Sequence, residues 1–512
     1  MMQTARRSTQ LLSTTCSRIR GTRSLPTAAS ACAAIWKRAE STLSPPASGQ
    51  RGPLNQPAQA SRTTASATAP TELLTVLEET IKTHGPLPVP RFMTLCLNHP
   101  TLGYYTTRQV FGKEGDFITS PEISQVFGEL LGIWYVTQWL QQGAPRKVRV
   151  VELGPGRGTL LADVLRTFKS LPAQSSPPVT SIHLVEQSDA LKAVQKAALE
   201  KSGFGQTPVF WHRNVEEVPK SQDEFTVAIA HEFFDALPIH IFEHTEKGWR
   251  EVLVDIADPK PSVIVSAEKR EPLRIVLSPT QTPASALYSS LAQASMTMPQ
   301  SSPSQLLNVD TTLPPPPSPL GANVATAGRG DKKNLAAERF ARLPQGSRIE
   351  ISPSSYEIAR EFSKLVTSPT RGGAGGAGLI VDYGDAKAFG RSWRGFRKHE
   401  VVDPLSKPGH TDLTANVDFS FLAEAMSEFA TPHGPLTQGK FLTSLGLAPR
   451  LAALMRGAST DERRKEIESS GKRLIDGLGM GGQYKVMAFT PKRESEASEK
   501  KEDCFPFDLE GI

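Results

Sequence analysis

Hydrophobic and polar positions along the chain predict strands that alternate with helices. Strands buried on both faces of a parallel sheet are indicated by short apolar runs at 147–153, 181–186, 225–230 and 379–382. After the first run, helical spacing is kept by Leu160, Leu161, Val164, Leu165 and Phe168. This alternation predicts an α/β fold with a mostly parallel sheet.

A helical extension is predicted before the first strand. Apolar residues at 73, 74, 77 and 81 indicate a helix that begins at Thr71 and stops at Gly85-Pro86. A longer helix is expected to begin at Ser120-Pro121-Glu122, because Ser caps helices, Pro suits the first turn and an acid there meets the helix dipole favourably.

Segments without periodicity divide the chain. A disordered linker is expected at 41–70, a Pro- and Ser-rich disordered insertion at 279–345, and a disordered charged tail at 492–512. A glycine-rich run at 372–378 is expected to be a flexible lead-in to the strand that follows it. The predicted units are therefore a helical segment at 71–145 and one core formed by 146–278 and 346–491, which the insertion splits in sequence but not in space.

The charge distribution argues against nucleic-acid binding. The 512 residues carry a formal net charge of +6, but nine basic residues and one acid lie before Glu72, so that segment carries +8 and the remainder is near −2. No apolar run is long enough to span a bilayer. The cysteines are not spaced for a zinc site or a disulfide framework, and no metal is expected.

Residues 1–40 are rich in Arg, Ser, Thr and Ala and nearly free of acids. This composition is typical of a mitochondrial transit peptide, and the alternative is an ordinary disordered tail. The first interpretation predicts a protein of the mitochondrial matrix.

A glycine-rich turn follows the first strand. Glu152 leads into Gly154-Pro155-Gly156-Arg157-Gly158, and a helix follows. Glycines let the backbone approach a ligand closely and direct amide hydrogens at it. A dinucleotide-binding fingerprint would place its last glycine at 159, where this chain has Thr159, so a nicotinamide-dependent oxidoreductase is disfavoured. The G-x-G-x-G form with a preceding acid is instead typical of S-adenosylmethionine methyltransferases. A tight turn that binds nothing is the alternative.

The second strand also ends in an acid, Glu186. In a fold of this kind, an acid at that position accepts hydrogen bonds from both ribose hydroxyls of the cofactor. The predicted S-adenosylmethionine site therefore includes Glu186 together with Glu152, Gly154, Pro155, Gly156 and Gly158.

Longer motifs give a more specific resemblance. They occur at Gly103-Tyr104-Tyr105, 115–124, Phe127-Gly128-Glu129, 152–158, 231–238, 248–251, Asp382-Tyr383-Gly384, Arg394-Gly395-Phe396, 412–415, 417–419, Gln438-Gly439 and Phe441-Leu442. In this order they resemble the MidA family over roughly 71–492, interrupted by the insertion. The resemblance implies a Rossmann-like class I S-adenosylmethionine-dependent methyltransferase. It also implies a protein arginine methyltransferase of the mitochondrial matrix that symmetrically dimethylates a complex I subunit and so supports complex I assembly.

The motif that follows the third strand supplies candidate catalytic residues. Glu232 and Asp235 are three residues apart and should lie at the carboxyl edge of the sheet. Paired carboxylates can hold a planar guanidinium and aim one of its nitrogens at a methyl donor. The alternative is that one of them only caps a helix. His231 is placed in the site as a core histidine, a cofactor contact or a proton acceptor.

The segment 115–122 offers further cofactor contacts from Asp116, Thr119, Ser120 and Glu122. Helix capping alone is one interpretation, and a lid over the cofactor, which the resemblance favours, is the other. Tyr383 is expected either to line the acceptor cleft or to lie in the core. A non-catalytic complex I assembly chaperone that retains the fold is the alternative function, and the intact glycine turn favours catalysis.

Overall fold

The computed structural model describes residues 71–107, 119–257, 272–289, 343–367, 373–492 and 504–508. The expected transit peptide and the linker at 41–70 lie outside these ranges. The helices are α1 (Glu72–His84), α2 (Val89–Asn98), α3 (Tyr104–Thr107), α4 (Ser120–Ile123), α5 (Gln125–Gln141), α6 (Thr159–Ser170), α7 (Asp189–Lys201), α8 (Pro353–Lys364), α9 (Phe419–Met426), α10 (Gln438–Ser444), α11 (Leu447–Arg456), α12 (Asp461–Ile475) and α13 (Met480–Gln483).

The strands of the described residues form three sheets. They are β1 (Leu87–Pro88), β2 (Val148–Leu153), β3 (Val179–Val185), β4 (Val209–His212), β5 (Phe225–His231), β6 (His240–Thr245), β7 (Gly248–Ile256), β8 (Leu273–Leu277), β9 (Arg348–Ile351), β10 (Gly376–Asp385), β11 (Arg394–Arg397), β12 (Glu400–Val402), β13 (Asp412–Thr414), β14 (Val417–Asp418), β15 (Ala430–Thr437) and β16 (Tyr484–Pro491).

The central sheet has the order β15-β16-β10-β5-β2-β3-β4, and β14 pairs with β10. Strands β4, β3, β2, β5 and β10 are mutually parallel, whereas β16 is antiparallel to both of its neighbours. The chain therefore builds outward from β2 in both directions. Such a reversal of strand order creates a crevice at the carboxyl ends of β2 and β5, where open α/β sheets bind ligands.

Both faces of the central sheet are covered. On one face α5 and α6 bury Trp134, Tyr135 and Phe168, and on the other α8 and α9 bury Phe362 and Phe419. Helix α5 is apolar on nearly all sides because it is enclosed by protein. Two glycines let α6 approach it: a Cβ added to Gly128 would lie 2.5 Å from the Cβ of Asp163, and one added to Gly132 would lie 2.9 Å from the Cβ of Thr167.

A second sheet, which the sequence patterns did not predict, lies outside the central one. It has the order β1-β7-β6-β9 with β8 paired to β7, and it buries Leu77 of α1 and Phe92 of α2 against Val254. A third sheet, β12-β11-β13, packs beside it. The described residues of 71–145 are mostly helical, as expected, whereas part of 146–278 leaves the central sheet for this second one.

Most predicted elements are confirmed. The Thr71 hydroxyl caps α1 by accepting from the Leu74 N–H at 3.2 Å, and the four predicted strands correspond to β2, β3, β5 and β10. The helix expected from Ser120 begins there but is interrupted at Ser124. Extended at φ −155°, Ser124 ends α4, and its side chain caps α5 through the Val126 N–H at 3.3 Å.

Two segments expected to be disordered are partly ordered. Within the disordered insertion expected at 279–345, residues 283–289 are helical, and the ring of Tyr288 lies 5.7 Å from that of Phe242. Residues 290–342 lie outside the described residues. In the tail expected at 492–512, the Phe505 carbonyl accepts from the Trp134 indole at 2.9 Å. The lead-in at 372–378 already joins β10 from Gly376. No helix in the described ranges is both long and apolar enough to cross a membrane.

Candidate active site

A cavity of about 910 Å³ opens at the carboxyl edge of the central sheet. It lies at the crevice between β2 and β5, where the strand order reverses. We call its two walls the glycine-loop side and the carboxylate side. The glycine-loop side is formed by Glu152, residues 154–157, Thr159 and Glu186, and the carboxylate side by Glu122, His231, Glu232, Asp235 and Asp412.

The glycine loop has the backbone that only glycine adopts readily. Gly154, Gly156 and Gly158 have φ of 59°, 51° and 76°. A Cβ added to Gly154 would lie 2.8 Å from the ring of Phe233, so the carboxylate side packs directly on the loop. Pro155 and Gly156 line the cavity, whereas Gly158 caps α6 and faces Gln195 of α7. The structure thus gives Gly158 a packing position instead of the expected direct cofactor contact.

Glu152 is buried at the end of β2 and lines the cavity. Its Oε2 atom has no hydrogen-bond partner within the described part of the chain, and burial raises the pKa of Glu152 to about 8. Because buried polar atoms are almost always hydrogen-bonded, this carboxyl group is prepared to meet a polar group of a bound molecule.

Glu186 follows β3 and is held by two donors. Its Oε1 accepts from the Ser188 N–H at 2.7 Å, and its Oε2 accepts from the Gln195 amide at 3.1 Å. Burial raises the pKa of Glu186, and these hydrogen bonds act in the opposite direction. The carboxylate is therefore fixed in orientation on the cavity wall.

Gln195 was not identified from the sequence, although it connects Glu186 to the glycine loop. Its buried amide also donates to the Gly156 carbonyl at 2.8 Å, and its Oε1 accepts from the Trp211 indole at 2.9 Å. It lies four residues after Leu191 and four before Leu199, on one face of α7. That spacing was the available signal, since a glutamine on an inward-facing stripe needs polar partners.

The carboxylate side is built on a tight loop after β5. Glu232 has a φ of 49°, which is rare for a residue with a side chain. The Asp382 carboxylate secures this loop by accepting from the N–H groups of Phe233, Phe234 and Asp235 at 2.9–3.3 Å. Asp382 is fully buried and does not line the cavity, so it supports the loop from within the protein. Tyr383 lines the cavity, which agrees with one of the two interpretations of the sequence.

Glu232 accepts a hydrogen bond from the hydroxyl of Tyr484 at 2.5 Å. Burial raises the pKa of Glu232 to about 8, and the charges of Asp235, Glu122 and Asp412 add to the rise while the Tyr484 bond opposes it. The His231 Nε2 lies 3.7 Å from Glu232, and burial lowers the pKa of His231 to about 3. This imidazole is therefore neutral and a weak proton acceptor.

Asp235 is buried beside Glu232 and lines the same cavity. Burial raises the pKa of Asp235 to about 6, and the guanidinium of Arg394 acts in the opposite direction. Elsewhere on the carboxylate side, Asp412 accepts from the Tyr105 hydroxyl at 2.9 Å. Carboxyl groups crowded around one buried space hold protons more strongly than usual, and a bound cation would relieve that crowding.

The segment before α4 agrees only partly with expectation. Thr119 and Glu122 line the cavity and also form a capping box, in which the Thr119 N–H donates to Glu122 at 3.3 Å. Ser120 does not line the cavity: its buried hydroxyl donates to Gln438 at 3.3 Å, because its helix position directs it into the protein. Asp116 lies outside the described residues. Within the described ranges, no group of three or more His, Cys, Asp or Glu side chains could hold a metal ion.

Comparison with known proteins places this geometry in a family. A sequence model of S-adenosyl-L-methionine-dependent methyltransferases matches residues 130–436. The mitochondrial protein arginine methyltransferase NDUFAF7 of Xenopus tropicalis is 33% identical over 83% of this chain and 87% of that protein. The protein of the same name from Homo sapiens is 34% identical over 82% of this chain and 84% of its own length.

A solved structure shares the fold. It is a protein of Burkholderia thailandensis bound to S-adenosyl-homocysteine, which matches with a TM-score of 0.58 at 22% identity and covers 85% of this chain and 94% of that chain. At this identity the likeness shows the fold alone. The family match and the relatives that share a third of its residues establish that the chain belongs to the S-adenosyl-L-methionine-dependent methyltransferases.

Proposed function

We propose that this chain is a class I, Rossmann-like protein arginine methyltransferase of the mitochondrial matrix. The strand order of the central sheet, with its reversal at β2 and its antiparallel β16, supports the class. The names of the relatives, which are mitochondrial protein arginine methyltransferases, support the reaction and the compartment. The resemblance to the MidA family supports a complex I subunit as the protein substrate and complex I assembly as the process served.

The residues of the glycine-loop side fit S-adenosylmethionine. Glu186 offers a fixed carboxylate to ribose hydroxyls, Gly154 and Gly156 let the backbone approach a ligand, and Glu152 has an unpaired oxygen. The cavity of about 910 Å³ leaves room for an acceptor side chain beside a nucleoside-sized molecule. When bound, S-adenosylmethionine supplies an electrophilic methyl group.

The carboxylate side fits a guanidinium acceptor. Glu232 and Asp235 lie on one loop and face one cavity. Burial raises the pKa of both carboxyl groups, and the charge of Asp235 raises the pKa of Glu232 further. A planar cation held by two carboxylates is oriented as well as attracted. Positioning of this kind accounts for much of the barrier reduction in group transfer. The single observation that carries the proposal is this buried carboxylate pair across the cavity from the glycine loop.

Chain residues also account for the proton that a guanidinium nitrogen loses when it is methylated. Glu232 is the candidate acceptor when it is ionised, because a pKa raised by burial to about 8 makes its carboxylate a stronger base than an ordinary one. His231, with a pKa of about 3, is a poor acceptor and instead forms a neutral wall beside Glu232. Packing of Phe127 against the His231 ring, with centroids 5.2 Å apart, limits water at that wall.

Incubation of the purified chain with S-adenosylmethionine labelled in its methyl group and with mitochondrial protein extract tests this function. We expect a labelled protein band whose acid hydrolysate contains methylarginine, and we expect Glu232→Gln to slow its labelling by roughly a thousandfold. Label in methyllysine or another product would overturn the arginine assignment. Absence of any transfer, combined with restored complex I assembly in cells that lack the protein, would instead favour a non-catalytic chaperone.

A further inference from the structure

Tyr484 contacts the candidate acceptor site from the last strand of the central sheet. It is the first residue of β16, only 1% exposed, and its hydroxyl donates to the Oε1 of Glu232 at 2.5 Å. The two residues are 252 positions apart in sequence. A fully buried tyrosine hydroxyl requires a partner, and this one has a carboxylate on the cavity wall.

The ring of Tyr484 is fixed by its neighbours. Tyr484 pairs with Tyr383 across β16 and β10, and their ring centroids are 4.1 Å apart. On another side the ring stacks on His231 with centroids 6.3 Å apart and planes 13° from parallel. The hydroxyl therefore cannot rotate away from Glu232 without displacing two side chains that also line the cavity.

The carboxylate of Glu232 depends on that hydroxyl. Asp382 holds the backbone of the loop, but within the described residues Tyr484 is the hydrogen-bond donor to the Glu232 side chain. The titratable groups that surround Glu232 are His231, Asp235, Glu122, Asp412, Asp382, Tyr383 and Tyr484, and the guanidinium of Arg394 lies 5.6 Å from the centre of the Tyr383 ring. Burial and the neighbouring carboxylates favour the protonated form of Glu232, and the hydrogen bond from Tyr484 favours the ionised form.

Tyr484 keeps its own proton in this environment. Burial and the neighbouring charge of Glu232 raise the pKa of Tyr484 well above its ordinary value. The hydroxyl is therefore a donor at any pH at which the protein would work.

We propose that Tyr484 is a positioning residue that aims the Glu232 carboxylate into the cavity and favours its ionised form, so that Glu232 can bind a guanidinium. This inference rests on the proposed role of Glu232 as an acceptor ligand. Tyr484 acts through Glu232 and does not itself line the cavity.

The test combines Tyr484→Phe with two measurements on the full chain. Infrared titration with ¹³C-labelled glutamate follows the protonated carboxyl band that Glu232→Gln removes. We expect Tyr484→Phe to raise the pKa of Glu232 by about one to two units, since a hydrogen bond to a charged group is lost. In the labelled-methyl assay with mitochondrial extract, the rate of transfer should fall by about tenfold or more. The acidic limb of its pH–rate profile should move to higher pH.

A matched control removes another buried tyrosine hydroxyl. Tyr135 donates to the Ala228 carbonyl at 2.6 Å and lies outside the cavity, so Tyr135→Phe should cost stability without moving the Glu232 titration or the pH profile. In a double-mutant cycle, Tyr484→Phe should add nothing to Glu232→Gln, because both act on one contact.

The outcomes separate the two proposals. Parental transfer by Glu232→Gln would overturn the acceptor role of Glu232, whatever Tyr484 does. If Glu232→Gln slows transfer strongly while Tyr484→Phe leaves the Glu232 titration and the pH profile unchanged, the Tyr484 proposal alone is wrong. A further loss in the double variant would also overturn it, since Tyr484 would then act elsewhere.

Discussion

The two walls of the cavity are built in different ways. The glycine-loop side comes from β2, β3 and α7, which are neighbours in sequence, and it is held together by Gln195. The carboxylate side collects Glu122, Glu232, Asp235 and Asp412, with Asp382 and Tyr484 behind them, from elements spread over most of the described chain. The glycine-loop side can therefore be encoded by a local stretch of sequence. The carboxylate side exists only once the whole sheet has formed.

The walls also differ in how they treat a buried acid. Burial raises the pKa of both Glu152 and Glu232 to about 8. Glu232 has the Tyr484 donor and several acidic neighbours, whereas the Oε2 of Glu152 has no partner in the described part of the chain. From this difference we infer that Glu152 binds one polar group of a ligand, whereas the carboxylate side binds a cation.

The largest expected effect tests whether the carboxylate side recognises the acceptor alone. Glu232→Gln and Asp235→Asn keep the shape of each side chain but remove the charge that a guanidinium needs. We expect methyl transfer to fall by roughly a thousandfold while the Kd for S-adenosylhomocysteine changes less than about threefold, because the loss falls on acceptor and transition state.

Glu243→Gln is the matched control for these variants. Glu243 pairs with Arg348 at 2.7 Å on the second sheet and does not line the cavity, so its loss should leave transfer unchanged. If Glu232→Gln and Asp235→Asn weaken S-adenosylhomocysteine as much as they slow transfer, the two walls are not functionally separate.

The opposite variant should damage only the glycine-loop side. Gly156→Val places a branched side chain at a φ of 51° on the cavity wall, where a ligand would meet backbone. We expect calorimetric titration to give an S-adenosylhomocysteine Kd raised on the order of a hundredfold, with the circular dichroism spectrum retained.

Gly248→Val separates ligand contact from backbone strain. Gly248 has a φ of 84° in the β6–β7 turn and nothing within 4 Å of an added Cβ. It should lose similar stability but keep the parental Kd. Equal affinity in the Gly156 and Gly248 variants would remove the glycine loop from the cofactor site.

A smaller effect should reveal Gln195 as the link within the glycine-loop side. Glu186→Ala should raise the Kd for S-adenosylmethionine at least about tenfold, because two charged hydrogen bonds to ribose are lost. Gln195→Leu should raise it less, by about threefold to tenfold, since Glu186 remains but loses one of its donors. An unchanged Kd with Gln195→Leu would show that Ser188 alone orients Glu186.

The glycine-loop side could be predicted from the sequence more completely than the carboxylate side. The strand-turn-helix pattern predicted β2, the glycine loop and Glu186, because the whole feature is local. It also named Glu232 and Asp235, since a motif after a buried strand must lie at the sheet edge.

What the sequence did not predict depends on distant pairing. Tyr484 reaches Glu232 only because β16 inserts beside β10, and no local pattern encodes that neighbour. Gly158 and Ser120 were expected at the cofactor, but helix geometry turns them toward Gln195 and Gln438. The second sheet was missed because its longest strand, β7, places Arg250, Glu251 and Asp255 among apolar residues without a strict alternation.

The smallest expected effect is on stability and concerns Glu152. Since burial raises the pKa of Glu152 to about 8, the folded chain keeps a proton that the unfolded chain loses near its ordinary pKa of about 4.3. Stability from this group is therefore fully present below about pH 4 and is lost as pH rises from there through the folded pKa of about 8. Glu152→Gln cannot ionise, so we expect it to melt about 2–6 °C above the parent at pH 9, by a smaller margin at pH 6, and near the parent at about pH 4 in scanning calorimetry.

Addition of S-adenosylmethionine should sharpen this difference between the walls. If the ionised Glu152 meets a polar group of the cofactor, saturating cofactor should raise the melting temperature of the parent more at pH 9 than at pH 6, because binding relieves the buried charge. Glu152→Gln should lack this pH dependence, whereas Glu232→Gln should retain it. If the rise in melting temperature with cofactor depends on pH in the same way in the parent and in Glu152→Gln, the ionisation of Glu152 does not contribute to cofactor binding. The two walls would then not differ in whether their buried acids have partners.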